Sequence, residues 1–246
     1  MKVLICIDDT DNLESRGTGD LAEQLATEIE ERNWGRSEFV TRHQLLVHPD
    51  VPYTSHNSSM CFAAEIGEQY LPALVERAKA FLVEESAEGS DPGLAVAVPD
   101  NLSDTALLVD FGRRAKREVL RKQDAYDLAA AQGIHLSEHG GTGHGVIGAL
   151  AGIGLRMSGN DGRIKGWLEI PTRDGMARVA DIVEQFQLGG VRSMTGDLLE
   201  ENDLVAVGEK PKAVYLDGKP FLMVSPLTDA GPARWKTSCR RELKKY

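Results

Sequence analysis

Three aspartates, Asp8, Asp9 and Asp11, fall within four positions directly after the apolar run "VLICI". Carboxylates this close raise one another's pKa unless a cation holds them ionised. An all-oxygen set of this kind favours Mg²⁺ or Mn²⁺ over zinc. Thr10 lies inside the cluster, and Gly17, Thr18 and Gly19 follow at the start of a helical pattern. The free N–H groups and dipole of a helix start suit a phosphate ester beside the metal. A second glycine-rich stretch, "GGTGHGVIGALAGIG", runs from 140 to 154. There Gly141, Gly143 and Gly145 can let backbone N–H groups approach an anion, and His144 can donate to a phosphate or move a proton. Close helix packing through Gly148, Ala151 and Gly152 accounts equally well for the later glycines.

These residues must be positioned by strands and helices that the hydrophobic pattern outlines. "KVLICID" reads as a buried strand, and a strand ending in acidic residues offers them at its carboxyl end, where ligands bind in α/β folds. Leu21, Leu25 and Ile29 recur at helical spacing, with Thr18 or Asp20 as the cap. "FVTRHQLLVH" and "SMCFAAEIG" read as strands flanking a loop whose Asn57 and Ser58 are candidate polar contacts for the nucleotide. "YLPALVERAKAFLVEE" is a helix, "EGSDPG" a loop and "LAVAVP" a buried strand. Helices are expected over 103–121 and 123–132, then a short strand "IHLSE", the glycine-rich helix, a strand "IKGWLEIP" and a helix near 176–187. Short strands close the chain, with "YLDGKPFLMV" as a hairpin on an Asp-Gly turn. The expected class is mixed α/β (α+β), a mixed sheet flanked by helices. Its domains are 1–170 for nucleotide and metal and a smaller β-rich region over 171–246.

The chain has 246 residues and a formal charge of −10. Such acidity opposes nucleic-acid binding except through a local basic patch. Two basic stretches exist, "GRRAKREVLRK" at 112–122 and "ARWKTSCRRELKKY" at the end; each reads first as a solvated face or tail. No apolar run reaches about 18 residues, so no membrane span is expected, and a cytoplasmic protein follows. Cys6, Cys61 and Cys239 form no CxxC pair, which argues against a disulfide framework or a zinc knuckle.

Two metal loops can be compared with residues 8–14. The EF-hand spacing fails, because Leu13 and Glu14 stand where a ligand and a glycine are required. Asp9-Thr10-Asp11 resembles the start of haloacid-dehalogenase phosphatases, with Leu13 departing from the pattern. In that alternative Asp9 is the nucleophile.

Taken in order, "IDDTD" with Thr18, "HPDVPYTSHNS" at 48–58 and "GVIGALAGIG" at 145–154 resemble the archaeal 2-agmatinylcytidine synthetases of isoleucine tRNA, in their N-terminal kinase-like domain. The resemblance implies ATP and Mg²⁺ as cofactors. Asp8, Asp9 and Asp11 would be metal and nucleotide residues, and Thr18 the phosphate acceptor. Thr54 and His56 replace a lysine and an arginine of the family's middle motif. The resemblance is expected to leave out the family's oligonucleotide-binding barrel and its zinc ribbon, which Cys6, Cys61 and Cys239 cannot build.

The expected function is therefore ATP- and Mg²⁺-dependent phosphoryl transfer, kinase- or ligase-like. Its substrate would be a nucleotide or small molecule rather than tRNA. A non-catalytic nucleotide- or tRNA-binding module is the second alternative. Asp161, in "SGNDG", is a candidate amine contact or a plain turn residue.

Overall fold

The computed structural model describes residues 1–51, 57–227 and 231–246. They form two compact units, Met1–Ser158 and Gly159–Tyr246.

The first unit contains strands β1 (Lys2–Asp8), β2 (Gly35–Ser37), β3 (Thr41–Gln44), β4 (Ser58–Ile66), β5 (Gly93–Ala97) and β6 (His135–Glu138). Its helices are α1 (Thr18–Glu31), α2 (Leu71–Glu85), α3 (Thr105–Ala115), α4 (Lys122–Gln132) and α5 (Gly145–Met157). The sheet runs β6-β5-β1-β4-β3, with β2 also on β4. Each of these pairings is antiparallel.

Helices cover both faces, which is why β1 is apolar without alternation. Val3, Ile5 and Ile7 pack against Leu21, Leu25 and Ile29 of α1 and Leu74 and Phe81 of α2. Leu4 and Cys6, pointing the other way, meet Leu108 and Phe111 of α3 and Ala149, Leu150 and Ile153 of α5. Each buried Val, Leu, Ile or Phe among them contributes about 1.5–3 kcal/mol relative to exposure. Helix α5 is buried nearly all round, and its glycines are a packing device. A Cβ on Gly112 of α3 would fall 2.8 Å from the Ala151 carbonyl oxygen, so the two helices approach at backbone distance.

The second unit has β7 (Arg163–Ile164), β8 (Met176–Arg178), α6 (Val179–Phe186), β9 (Gly190–Ser193), β10 (Leu204–Ala206), β11 (Ala213–Leu216), β12 (Lys219–Pro226) and β13 (Trp235–Thr237). They order as β7-β11-β12-β13-β10-β8, with β9 parallel to β12 and β10 parallel to β13. The expected Asp-Gly hairpin joins β11 to β12, with Asp217 and Gly218 both at positive φ (47° and 73°). One face of the sheet packs Ile182, Val191, Val205, Leu222 and Val224; the other packs Val214, Phe221, Met223 and Leu243.

The mixed α/β class matches the expectation. Locally the differences have causes. Helix α3 stops at Ala115, well before residue 121. The strand expected over "IKGWLEIP" shrinks to Arg163–Ile164, since Gly166 turns the chain at φ +88°. Gly17, not Thr18 or Asp20, is the N-cap of α1, and no side chain caps it. No helix among the described residues is long and apolar enough to cross a membrane.

Candidate functional site

The antiparallel register, rather than a parallel switch point, assembles the site. Asp8 pairs with Gly93, and Gly93 with Glu138. The end of β1, the start of β5 and the end of β6 therefore share one sheet edge. The loops attached to them are 9–17, 86–92 and 139–144.

Those loops are tied together. The Ala87 N–H donates to the Thr10 carbonyl at 2.9 Å, and the Arg16 guanidinium pairs with Glu85. The His139 N–H donates to the Pro92 carbonyl at 2.8 Å. Thr142 donates through both its N–H and its hydroxyl to the Asp91 carboxylate. Lys122 Nζ donates to Glu138 Oε2 at 2.8 Å and to the Thr142 carbonyl at 2.9 Å, clamping the glycine loop. Gly141 and Gly143 have positive φ (53° and 74°), and side chains there would overlap Asp91 and Glu138. Gly145 opens α5 against the backbone of Gly93, whose N–H nitrogen a Cβ would meet at 2.8 Å.

Asp8 is buried at the end of β1, its carboxylate against Gly148 in the first turn of α5. Burial pushes its carboxyl well above the usual carboxylate range, and the charges of Asp9 and Asp11 add to the effect. Asp9 holds a left-handed backbone, φ +52°, a conformation aspartate tolerates better than most residues. Its carboxyl is pushed up to about 6 by burial and then by the charges of Asp91 and Asp11. Asp11 reaches the N-cap of α1: a Cβ on Gly17 would lie 3.7 Å from its Oδ2. Thr18 is buried as the first residue of α1, next to the small, buried Gly19, and its hydroxyl accepts from the Thr10 N–H at 3.5 Å. Thr10 Oγ1 is buried with no hydrogen-bond partner among the described residues.

Asp91 behaves oppositely to Asp8 and Asp9. Burial opposes its ionisation, but the bonds from Thr142, the His144 N–H and the His144 charge outweigh it, so its pKa lies below the ordinary value. His144 sits at the N-cap of α5, its Nδ1 sharing a hydrogen bond with the Thr142 hydroxyl.

Asp8, Asp9, Thr10, Asp11, Gly17, Thr18, Gly19, Gly141, Gly143, His144 and Gly145 thus belong to one edge. Asn57 and Ser58 are engaged elsewhere. Asn57 Nδ2 donates to the Leu46 carbonyl at 2.6 Å, and Ser58 accepts from Arg42 Nε at 2.8 Å. Thr54 and His56 lie outside the described residues. Sequence reading missed Asp91 and Lys122, although "EGSDPG" offered an aspartate just before a buried strand.

The charges acting on Asp8 and Asp9 are all negative, and beside them lies an orphaned hydroxyl oxygen. This oxygen-rich donor set fits a hard cation. Among the described residues no group of three or more His, Cys, Asp and Glu is arranged as a metal cage. The three-aspartate set expected from the sequence is therefore not preassembled.

No family model matches the chain. The uncharacterized protein MJ0921 of Methanocaldococcus jannaschii is 30% identical over 156 residues, 63% of this chain and 50% of that protein. Among solved structures, a tRNA fluorescent labeling enzyme matches with TM-score 0.55 and 28% identity, over 63% of this chain and 36% of that one. TiaS in complex with its tRNA and ATP matches with TM-score 0.55 and 27% identity, and TiaS with its tRNA, AMPCPP and agmatine with 0.53 and 26%. The former covers 63% of this chain and the latter 62%; in both, the match spans 36% of the TiaS chain. The chain thus spans about half the length of the curated relative and about a third of these solved chains. Over 63% of its length it is similar, in sequence and in fold, to part of TiaS, the agmatidine synthetase of an isoleucine tRNA.

Proposed function

We propose that residues 1–158 bind ATP with a divalent cation and carry out phosphoryl transfer, as a kinase- or ligase-like enzyme. One observation carries this reading. Asp8 and Asp9 have raised pKa values with only negative charges acting on them, beside the first turns of α1 and α5. A site with helix N-termini and uncompensated carboxylates matches a metal-bound polyphosphate. The ATP and AMPCPP held by the TiaS complexes support the same ligand.

Asp8 and Asp9 would hold Mg²⁺, with Asp11 at the edge of the set. When bound, the metal neutralises charge on phosphate oxygens. The chain's own part is positioning. Asp91 fixes the 139–144 loop through Thr142, Lys122 clamps the same loop, and the free N–H groups of Gly145 and its neighbours face the anion. His144 is placed to donate to a phosphate oxygen. Thr18 is the candidate phosphate acceptor; its burial favours a positioning hydroxyl as the second role. The substrate is a nucleotide or small molecule, since a chain of charge −10 is a poor partner for an intact tRNA.

The test is incubation with ATP and Mg²⁺, with separation of the nucleotides and mass spectrometry of the 5–26 peptide. Conversion of ATP that is lost in Asp9→Asn supports the reading, and phosphate on Thr18 identifies the acceptor. Binding without conversion marks an accessory module. Phosphate release from a monoester without ATP marks the phosphatase alternative.

A further inference from the structure

The second unit buries a cation in its sheet. Arg163 in β7 is 5% exposed, and its Nε has no hydrogen-bond partner among the described residues. Burying a guanidinium without compensation costs several kcal/mol, so a fold that does so either meets an anion there or loses stability.

The register shows what surrounds it. Arg163 stands directly opposite Val214 of β11, so the two side chains share a sheet face. That face packs Val214, Leu216, Phe221 and Met223 beneath Leu243, from the 3-10 turn Glu242–Lys245. The basic end of the chain therefore lies over the face that carries Arg163. Its exposed Arg240 is close enough for its charge to act on Arg163, and Asp161, which has interactions of its own, acts in the opposite sense but less strongly. The setting is not acidic overall. Residues 159–246 contain 14 Lys and Arg against 13 Asp and Glu, so the net negative charge lies in 1–158.

We propose that Arg163 and Arg240 form a binding site for a phosphate-type oxyanion on the second unit, separate from the carboxylate edge of the first. A buried guanidinium beneath a basic chain end suits a tetrahedral oxyanion, since each guanidinium presents a planar fork of donors. The buried group supplies a fixed, desolvated contact and the exposed one closes on the ligand from solvent. The same chemistry serves a free phosphate, a phosphorylated small molecule or one phosphate of an RNA backbone.

The experiment uses the full chain in phosphate-free buffer at constant ionic strength. Inorganic phosphate is titrated while the arginine Nε–H resonances are followed by NMR. A single-stranded RNA oligonucleotide is titrated in a parallel arm. The Arg163 Nε–H signal, assigned by its absence in Arg163→Met, should move downfield on adding phosphate. Arg240→Gln should weaken the titration about tenfold or more. In the absence of phosphate Arg163→Met should melt no lower than the wild type, because it removes a buried charge whose Nε has no partner among the described residues. Should Arg163→Met fail to fold, Arg163→Lys keeps the charge without the fork and should bind more weakly. Asp9→Asn should leave the Arg163 response intact, which separates this site from the proposed ATP site. RNA moving the same signal at far lower concentration identifies a backbone phosphate as the source; phosphate alone moving it identifies a small ligand. An Arg163 resonance indifferent to both, or equal titration in Arg240→Gln, would overturn the proposal.

Discussion

The Asp8 carboxylate lies against Gly148, so that a Cβ at 148 would overlap Asp8 Oδ2 and fall 3.0 Å from Leu45 Cδ1. Strand end and helix start meet with no side chain between them. Gly148→Ala must displace the carboxylate or shift α5. We expect a loss of about 1–3 kcal/mol of stability, with a larger proportional loss of ATP affinity. Denaturant unfolding and calorimetric titration, run side by side, check both.

Asp9 sets a pH dependence. Its folded pKa, about 6, exceeds the unfolded value near ~4. The folded state therefore holds the proton more tightly, and the stability so gained is complete below pH ~4 and is lost as pH rises to about 6. Asp9→Asn removes the penalty. Without metal, the variant should be more stable than wild type at pH 7 by about 1 kcal/mol once partial exposure is allowed for, or roughly 2–4 °C in Tm. The excess should vanish near pH 4. Melts across that range decide the matter, and equal Tm values at pH 7 count against it.

Asp91 titrates in the other sense. Its folded pKa is depressed, so its stabilisation is present at neutral pH and is lost as pH falls through the folded value. Asp91→Ala leaves the Thr142 N–H without its acceptor and the Thr142 hydroxyl with His144 alone, at a cost of about 1–3 kcal/mol. Amide hydrogen exchange should quicken at Thr142 and His144. Unchanged protection there would mean that the loop is held by other contacts.

Lys122 acts on the loop from a partly exposed position. Lys122→Met should therefore leave stability nearly unchanged, while weakening nucleotide binding through a looser glycine loop. Affinity equal to wild type would remove Lys122 from the site.

Cys6 and Cys61 face each other across β1 and β4, both buried, while Cys239 is exposed. Burial, with the neighbouring Cys61 thiol, pushes the Cys6 thiol up. A thiol reagent should modify Cys239 alone in the native protein and all three cysteines in denaturant. Fast labelling of a second thiol would show that β1 and β4 open.

The sequence by itself determined the local parts. Apolar continuity marked β1 as covered on both faces, helical spacing marked α1 and α2, Asp217-Gly218 marked a hairpin, and three crowded aspartates marked an acidic strand end. These are short-range properties, set by periodicity, turn conformation and charge repulsion between near neighbours. Only the tertiary structure decided that Asp91 and Lys122 join Asp9 and the glycine loop, that Asn57 and Ser58 turn to other partners, and that Cys6 meets Cys61. Those relationships follow from antiparallel register between strands far apart in the chain. No local pattern in "EGSDPG" separates a turn aspartate from one that holds a loop 51 residues away. The same holds for Arg163: nothing in "DGRIK" foretells burial. Its surroundings were set when β7 paired with β11 and the basic end of the chain packed over that face.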